Sequence, residues 1–277
     1  MTYAARVLLD SVSPRGVRVI TMEWTYPRFI HSEVMTYRMF SRNAASSRAI
    51  PVIKTLRQVR ENPARPIFWG RNQRGMQARE ELTGWRLALA RFGWEFGRYT
   101  AVMAARIMQI ADLHKQSANR RIEPDLWITV IITANEPAYR HCFRQRCHVD
   151  AQPEFNHVAT LAQASLDASV PVERIVHAPL MTEDDYDELA SKGYSGHGQF
   201  GTIWHVSTAR CARVSYLTHE GKRNMAEDLR LYRDLKHADP PHTSPFEHVL
   251  TASDDPARRS GNVVGWIQHR ETVETPA

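Results

Sequence analysis

The spacing of apolar and polar residues predicts strands in two parts of the chain. Residues 4–34 contain β-branched runs with alternating positions, the last of which ends at Ile30, and Pro14 and Pro27 mark turns between them. Leu126–Thr133 is short, β-branched and largely apolar, which is typical of a buried strand. A β-sheet is therefore expected.

Helical spacing of apolar residues takes over in three later segments. Gln77–Lys115 is the longest, Glu154–Ala168 follows a proline that suits the first position of a helix, and Met225–Lys236 is amphipathic. The first segment is interrupted by Gly84, Gly93 and Gly97. Their spacing matches no dinucleotide fingerprint, so they predict a bend or close packing rather than a phosphate loop.

The remaining C-terminal stretches are predicted to be short or irregular. Residues 182–201 are acidic and then rich in glycine and serine, which predicts a surface loop, whereas Thr202–Tyr216 begins like a strand. Val263–Ile267 is a short apolar segment, and Glu271–Ala277 is expected to be frayed.

Composition narrows the class of protein. With 277 residues the chain can bury a full core, and its 43% hydrophobic and 24% charged residues are ordinary for a globular protein. It has no apolar run of the roughly 18 residues that a membrane span needs and no secretory signal, so no membrane association is expected. Three cysteines argue against a disulfide framework, which predicts a cytoplasmic protein.

A net charge of +6 would permit nucleic-acid binding, but the distribution of that charge argues against it. The 36 basic residues are 31 Arg and 5 Lys, and they are interspersed with acids. The sequence contains no basic tail, finger spacing or ribonucleoprotein motif. The excess of arginine fits discrete anion sites, or a GC-rich coding sequence, and no nucleic-acid partner is expected.

The densest group of hydrogen-bond donors lies in Thr36–Arg48. Its members are three arginines, three serines and one asparagine: Arg38, Arg42, Arg48, Ser41, Ser46, Ser47 and Asn43. Arginine holds phosphate or carboxylate oxygens bidentately, and serine hydroxyls add short donors to the same oxygens. The stretch therefore predicts a pocket for a small anion, and its alternative is a solvated polar loop.

The same stretch resembles the signature of flavin-dependent thymidylate synthases, Arg-His-Arg-x2-Ser-x-Asn-Glu-x-Ser-x-Arg. Five of its eight fixed positions match, at Arg38, Ser41, Asn43, Ser46 and Arg48. Three depart, with Thr36 for the first Arg, Tyr37 for the His and Ala44 for the Glu. Other blocks of the chain must then match as well.

Two further blocks lie on either side of the predicted strand 126–133. Arg120 and Pro124 match the family's Arg-x3-Pro, whose Arg helps to bind the nucleotide phosphate; the alternative for Arg120 is an arginine at a helix end. After the strand, the family carries Asn-x5-Asn-Phe-Leu-x-Leu-Arg-x4-Ala-Gln-x-Glu. The matching residues are Asn135, Arg146, Ala151, Gln152 and Glu154, with His141 in place of the second Asn and Phe143 at the position of the first Leu. Asp150 replaces a His that touches the flavin in the family.

Two histidines and two cysteines in this block also suggest a zinc site: His141, Cys142, Cys147 and His148. If the stretch is helical, the two cysteines lie five residues apart and point about 140° away from each other. They could not chelate one ion together, so no metal site is expected.

The last block, near the C-terminus, is long and specific. Ala212-Arg-Val-Ser215-Tyr, a helix, and His242-Thr-Ser244-Pro-Phe-Glu-His248 follow the family's Ala-Arg-Val-Ser-Phe, helix and His-x-Thr-Pro-Phe-Glu-His. Ser215, His242 and Ser244 match positions that contact the flavin. Without the resemblance, the second half of the block is a turn with surface histidines.

Together these blocks imply the family's fold over a single domain, residues 1–277. That fold is α+β, a mixed sheet with packed helices and no Rossmann domain. The blocks are 28–50, the helical region 75–120, 119–156 and 202–250. In the family the last block precedes the arginine-rich signature, so the order here implies a circular permutation, which folds tolerate when their termini are close. Residues 41–52 resemble a variant associated with bacteriophages, in which Ser-Arg-Asn-Ala-x-Ser-Ser-Arg-Ala-Ile-Pro-Val recurs.

The resemblance also implies an activity, the methylation of dUMP to dTMP with FAD, NADPH and methylenetetrahydrofolate, in a homotetramer with shared active sites. Arg48, Arg120 and Ser46 would hold the phosphate, and Arg146 would polarise the pyrimidine. The flavin would be held by Arg38, Asn43, Asn135, His141, Ser215, His242 and Ser244. No base is evident beside Ser46, so a covalent role for this serine is the weaker alternative, and nothing marks a cysteine as a nucleophile.

Two alternatives stay open. The changes at Thr36, Tyr37 and Ala44 could redirect the enzyme to another pyrimidine nucleotide, for example methylation or hydroxymethylation of dCMP for modified phage DNA, because few substitutions switch a pocket that reads hydrogen bonds. The chain could also be a catalytically degenerate, basic nucleic-acid-binding protein. Bound flavin would exclude this last alternative.

Overall fold

The computed structural model describes residues 1–192, 197–218 and 223–274. The strands are β1 Ala4–Val12, β2 Arg18–Pro27, β3 Ser41–Ala44, β4 Trp127–Asn135, β5 Val172–Glu173, β6 Val176–His177, β7 Leu250–Ala252, β8 Arg259–Ser260, β9 Val263–Val264 and β10 Trp266–Gln268. The α-helices are α1 His31–Val34, α2 Val52–Glu61, α3 Gly84–Ile110, α4 Lys115–Ala118, α5 Glu136–Arg146, α6 Pro153–Asp167, α7 Glu183–Ser191, α8 His197–Arg213, α9 Met225–His237 and α10 Glu271–Glu274. Among these described residues, no helix is long and apolar enough to cross a membrane.

The largest sheet has five strands in the order β3–β4–β2–β1–β5. Neighbouring strands are antiparallel except β1 and β5, which are parallel, so the sheet is mixed. β2 and β4 pair from Val19 opposite Asn135 to Pro27 opposite Trp127. Both are buried on both faces because they are rich in β-branched and aromatic residues. The mixed sheet with packed helices confirms the α+β prediction, as does the predicted strand at 126–133.

The second predicted N-terminal strand is shorter than expected. β2 ends at Pro27, and Arg28–Ile30 forms a 3-10 helix instead of continuing the strand to Ile30. The fixed φ of Pro27, −57°, suits the first step out of an extended strand into a helical turn.

Helices α5 and α6 cover one face of the five-stranded sheet. Trp24 of β2 lies in the centre of this core, with ring centroids 6.2 Å from Phe40 and 6.5 Å from Phe143. Phe155 and Leu166 of α6 are fully buried in the same cluster. The structure thereby confirms the helix predicted after Pro153, and it places the end of α5 close to the turn that precedes β3.

The opposite face of the sheet carries the three-stranded sheet β10–β7–β6. Fully buried side chains join the two sheets. The hydroxyls of Thr21 and Thr133 lie 2.6 Å apart, Thr21 Oγ1 lies 2.7 Å from His177 Nε2, and Thr133 Oγ1 lies 2.8 Å from His248 Nδ1. Burial lowers the pKa of both histidines to about 3, so both are neutral at physiological pH.

Helix α3 is 27 residues long and packs against α2 through a separate, smaller core. The helix begins at Gly84 rather than at Gln77. Gly84 adopts φ +55°, which ends the preceding segment, and that segment is extended, with a β-bridge between Gly70 and Glu81. Gly93 and Gly97 do not mark close packing within the chain, since a Cβ at either position would meet nothing within 4 Å.

Two predictions are wrong between residues 182 and 216. The expected loop contains α7, and the expected strand is part of α8. The buried apolar residues of α8 recur at helical spacing: Ile203, Val206 and Ala209. At the start of α7, Thr182 N donates to Asp185 Oδ2 at 2.8 Å, which satisfies a donor at the helix end. Residues 193–196 of the expected loop lie outside the described residues.

The last segments agree more closely with the sequence. α9 confirms the amphipathic helix predicted at Met225–Lys236, and the apolar segment Val263–Ile267 supplies β9 and most of β10. The expected frayed end is wrong for Glu271–Glu274, which forms α10, because Thr272 N and Thr272 Oγ1 both donate to His269 O. Residues 275–277 lie outside the described residues.

A buried arginine ties α7, α8 and α9 together. Arg210 of α8 is 1% exposed, and its guanidinium donates to Asp185 at 2.7 Å, to Asp228 at 2.9 Å and to the carbonyl of Leu180 at 2.9 Å. Both carboxylates are buried as well. Each charge of the group therefore depends on the others for compensation.

We expect Arg210→Met to lower the free energy of unfolding by about 3–5 kcal/mol, because it removes the cation that two buried carboxylates share. Arg258→Met is the matched control. The Arg258–Glu271 pair is 48% and 38% exposed, and such pairs contribute at most about 1 kcal/mol. Urea unfolding followed by circular dichroism measures both variants. An equal loss of stability in the two would contradict the role assigned to Arg210.

Candidate functional site

Strand β3 brings the arginine-rich block into contact with the C-terminal block. Asn43 Nδ2 donates to Cys211 O at 2.5 Å, and Ser46 N donates to Ser215 O at 3.0 Å. Ser41 Oγ donates to Asn262 Oδ1 at 3.0 Å. Asn43 and Cys211 are 168 residues apart in the sequence. The two blocks therefore meet at this short edge strand and at the residues just after it.

The carboxylate of Glu123 joins the arginine-rich block to the segment before β4. Ser47 Oγ donates to Glu123 Oε1 at 2.5 Å, and the guanidiniums of Arg120 and Arg28 lie 3.0 Å from the same oxygen. Asn119 Nδ2 adds a bond to Ser47 O at 2.6 Å. We call Arg28, Ser47, Arg120 and Glu123 the Glu123 cluster. It carries one negative charge and two positive charges.

The three residues predicted to hold a phosphate lie at this cluster. Ser46 and Arg48 flank Ser47, and Arg120 shares the carboxylate that Ser47 contacts. Arg48 is exposed, with no hydrogen bond or ion pair to the described part of the chain, and Arg120 is 54% exposed. The structure thus brings Ser46, Arg48 and Arg120 together beside a net positive charge, an arrangement that can attract an anion.

A second site surrounds Arg146 at the end of α5. Its Nε donates to Tyr37 Oη at 2.7 Å, and its Nη1 lies 3.4 Å from Glu33 Oε2. The guanidinium carbon lies 4.7 Å from the ring centroid of Phe155 and 5.5 Å from that of Tyr37. Arg146 is therefore held by two aromatic faces and a hydroxyl, which fixes the direction of its remaining donors.

These residues line a pocket of about 300 Å³, the Arg146 pocket. Its walls are Thr36, Tyr37, Arg38, Met39, Ala138, His141, Gln145 and Arg146. Arg38 and His141 are exposed at its rim, so three predicted site residues face one cavity. Burial raises the pKa of Tyr37, and its hydroxyl keeps the proton that it donates to Gln145 Oε1 at 2.9 Å.

Sequence reasoning missed the partners of Arg146. Tyr37 appeared only as the replacement of a signature His, and Phe155 and Glu33 carried no prediction. The sequence signal that could have indicated Tyr37 is its position next to Arg38, within the donor-rich stretch Thr36–Arg48. Nothing in the sequence points to Phe155, which reaches Arg146 from α6 through the packing of two helices.

Two residues predicted to contact a flavin are occupied with the backbone of this chain. Asn43 donates to Cys211 O, and Asn135 Nδ2 donates to Val264 O at 3.0 Å while its Oδ1 accepts from Val264 N at 2.8 Å. Both side chains are buried. Their observed role is to hold β3 and β4 against the C-terminal segments, and the cofactor role stays a prediction.

The other predicted flavin residues are more accessible. Ser215 is half-buried in the 3-10 helix Val214–Tyr216, and Ser244 begins the 3-10 helix Ser244–His248, with His242 just before it. Both 3-10 helices pack against β3. His242 and Ser244 are exposed, and their side chains have no hydrogen-bond partner among the described residues. The structure thus brings Ser215 and Ser244 to the edge strand β3, which ends two residues before Ser46.

The described residues form the predicted site as two separate groups. Among the residues that the structure describes, no hydrogen bond, ion pair or ring contact connects Arg146 with Ser46, Arg48 or Arg120. Arg146 opens into its own pocket, and the phosphate-binding candidates lie at the Glu123 cluster.

The cysteines are poorly suited to nucleophilic chemistry. Burial raises the pKa of Cys142 and of Cys211 to about 12, and burial also raises the pKa of Cys147. A thiol rather than a thiolate is therefore present at all three positions near neutral pH. The described residues contain no group of three or more histidines, cysteines or acids arranged to hold a metal ion.

Comparison with known proteins yields remote similarity to solved structures. No protein-family model matches the chain, and no curated protein sequence matches it. Among solved structures, the chain is similar to the crystal structure of a UMP/dUMP methylase, PolB, from Streptomyces cacaoi bound with 5-Br dUMP. The match covers 61% of this chain and 90% of that chain, at 11% identity and a TM-score of 0.45. A similarity this remote assigns no function to this chain.

We expect a thiol reagent at pH 8 to label Cys147 first, because Cys142 and Cys211 are buried and their thiols ionise only at about pH 12. Peptide mapping after timed labelling identifies the modified residue, and labelling in denaturant provides the total of three. Fast labelling of Cys142 or Cys211 in the native protein would contradict this order of labelling. It would also reopen the hypothesis that a cysteine acts as a nucleophile.

Proposed function

We propose that the chain is an FAD-dependent enzyme that methylates dUMP to dTMP, with methylenetetrahydrofolate as the one-carbon donor and NADPH as the reductant. One observation carries the proposal. Just after β3, donors from three separated blocks come together: Ser46 N donates to Ser215 O, Arg120 shares the Glu123 carboxylate with Ser47, and Arg48 follows Ser47. The sequence resemblance assigns Ser46, Arg48, Arg120 and Ser215 to the phosphate and the cofactor of such an enzyme.

The phosphate of the nucleotide is assigned to the Glu123 cluster. The free guanidinium of Arg48 and the exposed part of Arg120 supply charged donors, and the Ser46 hydroxyl supplies a short neutral one. Glu123 repels an anion, but Arg28 and Arg120 outweigh its charge. The carboxylate's part is to orient Ser47 and Arg120, which sets the shape of the site.

The pyrimidine ring is assigned to the Arg146 pocket. Transfer of one carbon to C5 requires negative charge to build up on the ring, and a guanidinium aimed at a ring oxygen stabilises that charge. The rings of Tyr37 and Phe155 hold the Arg146 guanidinium between them. Among the described residues, the one carboxylate paired with Arg146 is that of Glu33, which lies 3.4 Å from a single nitrogen and leaves the other donors of the guanidinium available.

The exposed donors fit a flavin. Arg38 at the rim of the Arg146 pocket, His242 and Ser244 have side chains without partners among the described residues, and Ser215 lies beside Ser46. These four side chains would hold FAD, with His141 at the same pocket rim. When bound, reduced FAD supplies the hydride and NADPH recharges it. The chain's own part is to position the nucleotide, exclude water and stabilise charge.

We also propose that the chain is circularly permuted relative to the family and acts as a homotetramer with shared active sites. Support for the permutation is that the displaced C-terminal block packs on β3, beside the arginine-rich block. Support for shared sites is that, among the described residues, no hydrogen bond, ion pair or ring contact connects Arg146 with the phosphate-binding candidates at the Glu123 cluster. A neighbouring subunit would bring one half to the other.

The visible absorbance spectrum of the purified protein, with and without added FAD, tests the cofactor. Anaerobic turnover with NADPH, methylenetetrahydrofolate and either dUMP or dCMP then tests the acceptor. A flavin spectrum and dTMP are the expected results. If only dCMP gives a product, the acceptor nucleotide is dCMP rather than dUMP. Tyr37, which replaces the signature His, lies in the pocket wall where such a change of acceptor would arise. Absence of flavin uptake together with salt-sensitive DNA binding would overturn the enzyme and favour a nucleic-acid-binding protein.

We expect Arg146→Ala to lower turnover by about 10²–10³-fold, because it removes the charge that faces the pyrimidine. Arg144→Ala is the matched control on the same helix, since Arg144 is exposed and has no partner in the described chain, and it should stay near wild type. Thermal unfolding verifies that both variants fold. Equal activities in the two variants would remove Arg146 from the site.

We expect Arg48→Ala to weaken dUMP binding by roughly 10- to 100-fold, in line with the loss of a charged hydrogen bond, and to leave deoxyuridine binding unchanged. Arg121→Ala serves as the control because Arg121 is exposed beside the cluster but was not assigned to it. Isothermal titration calorimetry with both ligands measures the difference. A parallel loss for nucleotide and nucleoside would place Arg48 away from the phosphate.

A further inference from the structure

The side-chain amide of Gln145 has a defined orientation in the Arg146 pocket. Arg146 Nε donates to Tyr37 Oη at 2.7 Å, and Tyr37 Oη in turn donates to Gln145 Oε1 at 2.9 Å. The Cys142 thiol is also within hydrogen-bond reach of this hydroxyl, but sulfur is a weaker acceptor than an amide oxygen. Because the phenol has a single proton and gives it to the amide oxygen, the amide nitrogen of Gln145 keeps both of its hydrogens for other partners.

Gln145 and Arg146 both offer unoccupied donors to this pocket. Gln145 is exposed and lines the pocket, and its Nε2 has no hydrogen-bond partner among the described residues. Arg146 Nη2 is likewise without a partner in the described part of the chain. One neutral donor group and one charged donor group at the end of α5 therefore reach the same cavity.

The acceptors in the same wall are engaged with other groups. Tyr37 O accepts from Arg42 Nη1 at 3.1 Å, and Met39 O accepts from Asn262 Nδ2 at 2.8 Å. Gln145 Oε1 takes the proton of the Tyr37 hydroxyl. A ligand in this pocket therefore meets donors at the end of α5, and it has to bring acceptors to them.

Uracil and cytosine differ in what they offer to such a pair of donors. Both bases carry the acceptor O2, which suits the guanidinium of Arg146 in either case. At position 4, uracil has the acceptor O4, whereas cytosine has an amino group that only donates. The group that can read position 4 is therefore the second donor, the amide of Gln145. An amino group set against that amide leaves both donors unsatisfied.

We propose that Gln145 selects the base of the nucleotide at the Arg146 pocket. Its amide nitrogen, oriented through the Tyr37 hydroxyl, donates to a carbonyl at position 4 of the pyrimidine and rejects a ring with an amino group there. Gln145 contacts the ligand in this arrangement, and Tyr37 is a positioning residue. The inference rests on the proposed function in that it takes a pyrimidine nucleotide as the ligand, and it goes further by choosing dUMP over dCMP.

The two residues of this device both depart from the family pattern. In Asn-Phe-Leu-x-Leu-Arg a Leu precedes the Arg, whereas here Gln145 precedes Arg146. Tyr37 stands in place of the signature His. One hydrogen bond joins the two departures, which gives them a common role.

Isothermal titration calorimetry of the full chain with dUMP and with dCMP tests the proposal. FAD is present in every titration, whereas NADPH and methylenetetrahydrofolate are left out, so binding is measured without turnover. The wild type is expected to bind dUMP roughly 10- to 100-fold more tightly than dCMP, the range for a donor left facing another donor.

Gln145→Glu exchanges the amide NH2 for an oxygen with little change of shape, and the carboxylate still accepts from Tyr37 Oη. It presents an acceptor to position 4, so dUMP binding is expected to weaken by roughly 10- to 100-fold relative to dCMP binding. The ratio of the two dissociation constants is the readout, because the added negative charge affects the phosphate of both nucleotides alike. Gln109→Glu is the matched control, since Gln109 is exposed on α3 outside this pocket, and it should keep the wild-type ratio.

Tyr37→Phe removes the hydroxyl that orients the amide and keeps the aromatic ring. The amide of Gln145 can then turn either end toward position 4, so the preference for dUMP is expected to fall by roughly tenfold, in part through tighter binding of dCMP. A purely structural role of Tyr37 would instead weaken the binding of both nucleotides together. Thermal unfolding verifies the fold of each variant.

An unchanged ratio in Gln145→Glu would overturn the inference, as would a wild type that binds both nucleotides equally or binds neither. The proposed function fails by a different result. A preference for dUMP that is lost in Gln145→Glu, without FAD uptake or formation of dTMP, would support the inference and refute the enzyme.

Discussion

The pairing of β3 with β4 is the interaction on which the rest of the site depends. It involves only Ser41–Ala44, and its side chains alternate between two tasks. Ser41 and Asn43 bond to the C-terminal segments, whereas Arg42 on the other side donates to Met35 O at 2.7 Å and holds the turn that leads to Tyr37. A slip of one residue would exchange the two tasks and separate both halves of the site.

Arginine occupies several distinct environments in this chain. Arg210 is a buried structural cation between two carboxylates, and Arg146 is clamped by aromatic rings. Arg48 is left free beside the Glu123 cluster. The planar fork of the guanidinium suits all three, because it can stack and donate in fixed directions at once.

The sequence predicted correctly those elements whose pattern of apolar and polar residues is long and local. The buried strand β4 and the helices α6 and α9 were each recognisable from spacing alone. α7 and α8 were not, because glycine and serine around their junction outweighed the weak helical period of Ile203, Val206 and Ala209. The start of α3 was missed for a related reason, since the apolar residues before Gly84 belong to an extended segment.

For the site, too, local clusters of residues could be predicted, whereas their grouping in space could not. Clusters of donors could be picked out along the chain, but their grouping into an Arg146 pocket and a Glu123 cluster depends on tertiary contacts. Phe155 reaches Arg146 only because α5 and α6 pack on one face of the sheet. Asn43 and Asn135 look like ligand donors in the sequence, yet their amides are consumed by backbone atoms that only the folded chain brings near.

The threonine and histidine chain between the two sheets has a consequence for protons. Each hydroxyl has a single proton and each neutral imidazole has a single N–H, so the bonds from His177 through Thr21 and Thr133 to His248 must all point the same way. His248 Nε2 is buried and has no hydrogen-bond partner among the residues that the structure describes. A buried N–H without an acceptor costs more free energy than a buried lone pair without a donor. The favoured direction is therefore the one in which His248 carries its hydrogen on Nδ1 and donates it to Thr133. A single unsatisfied nitrogen thereby sets the tautomers of two histidines in different parts of the fold.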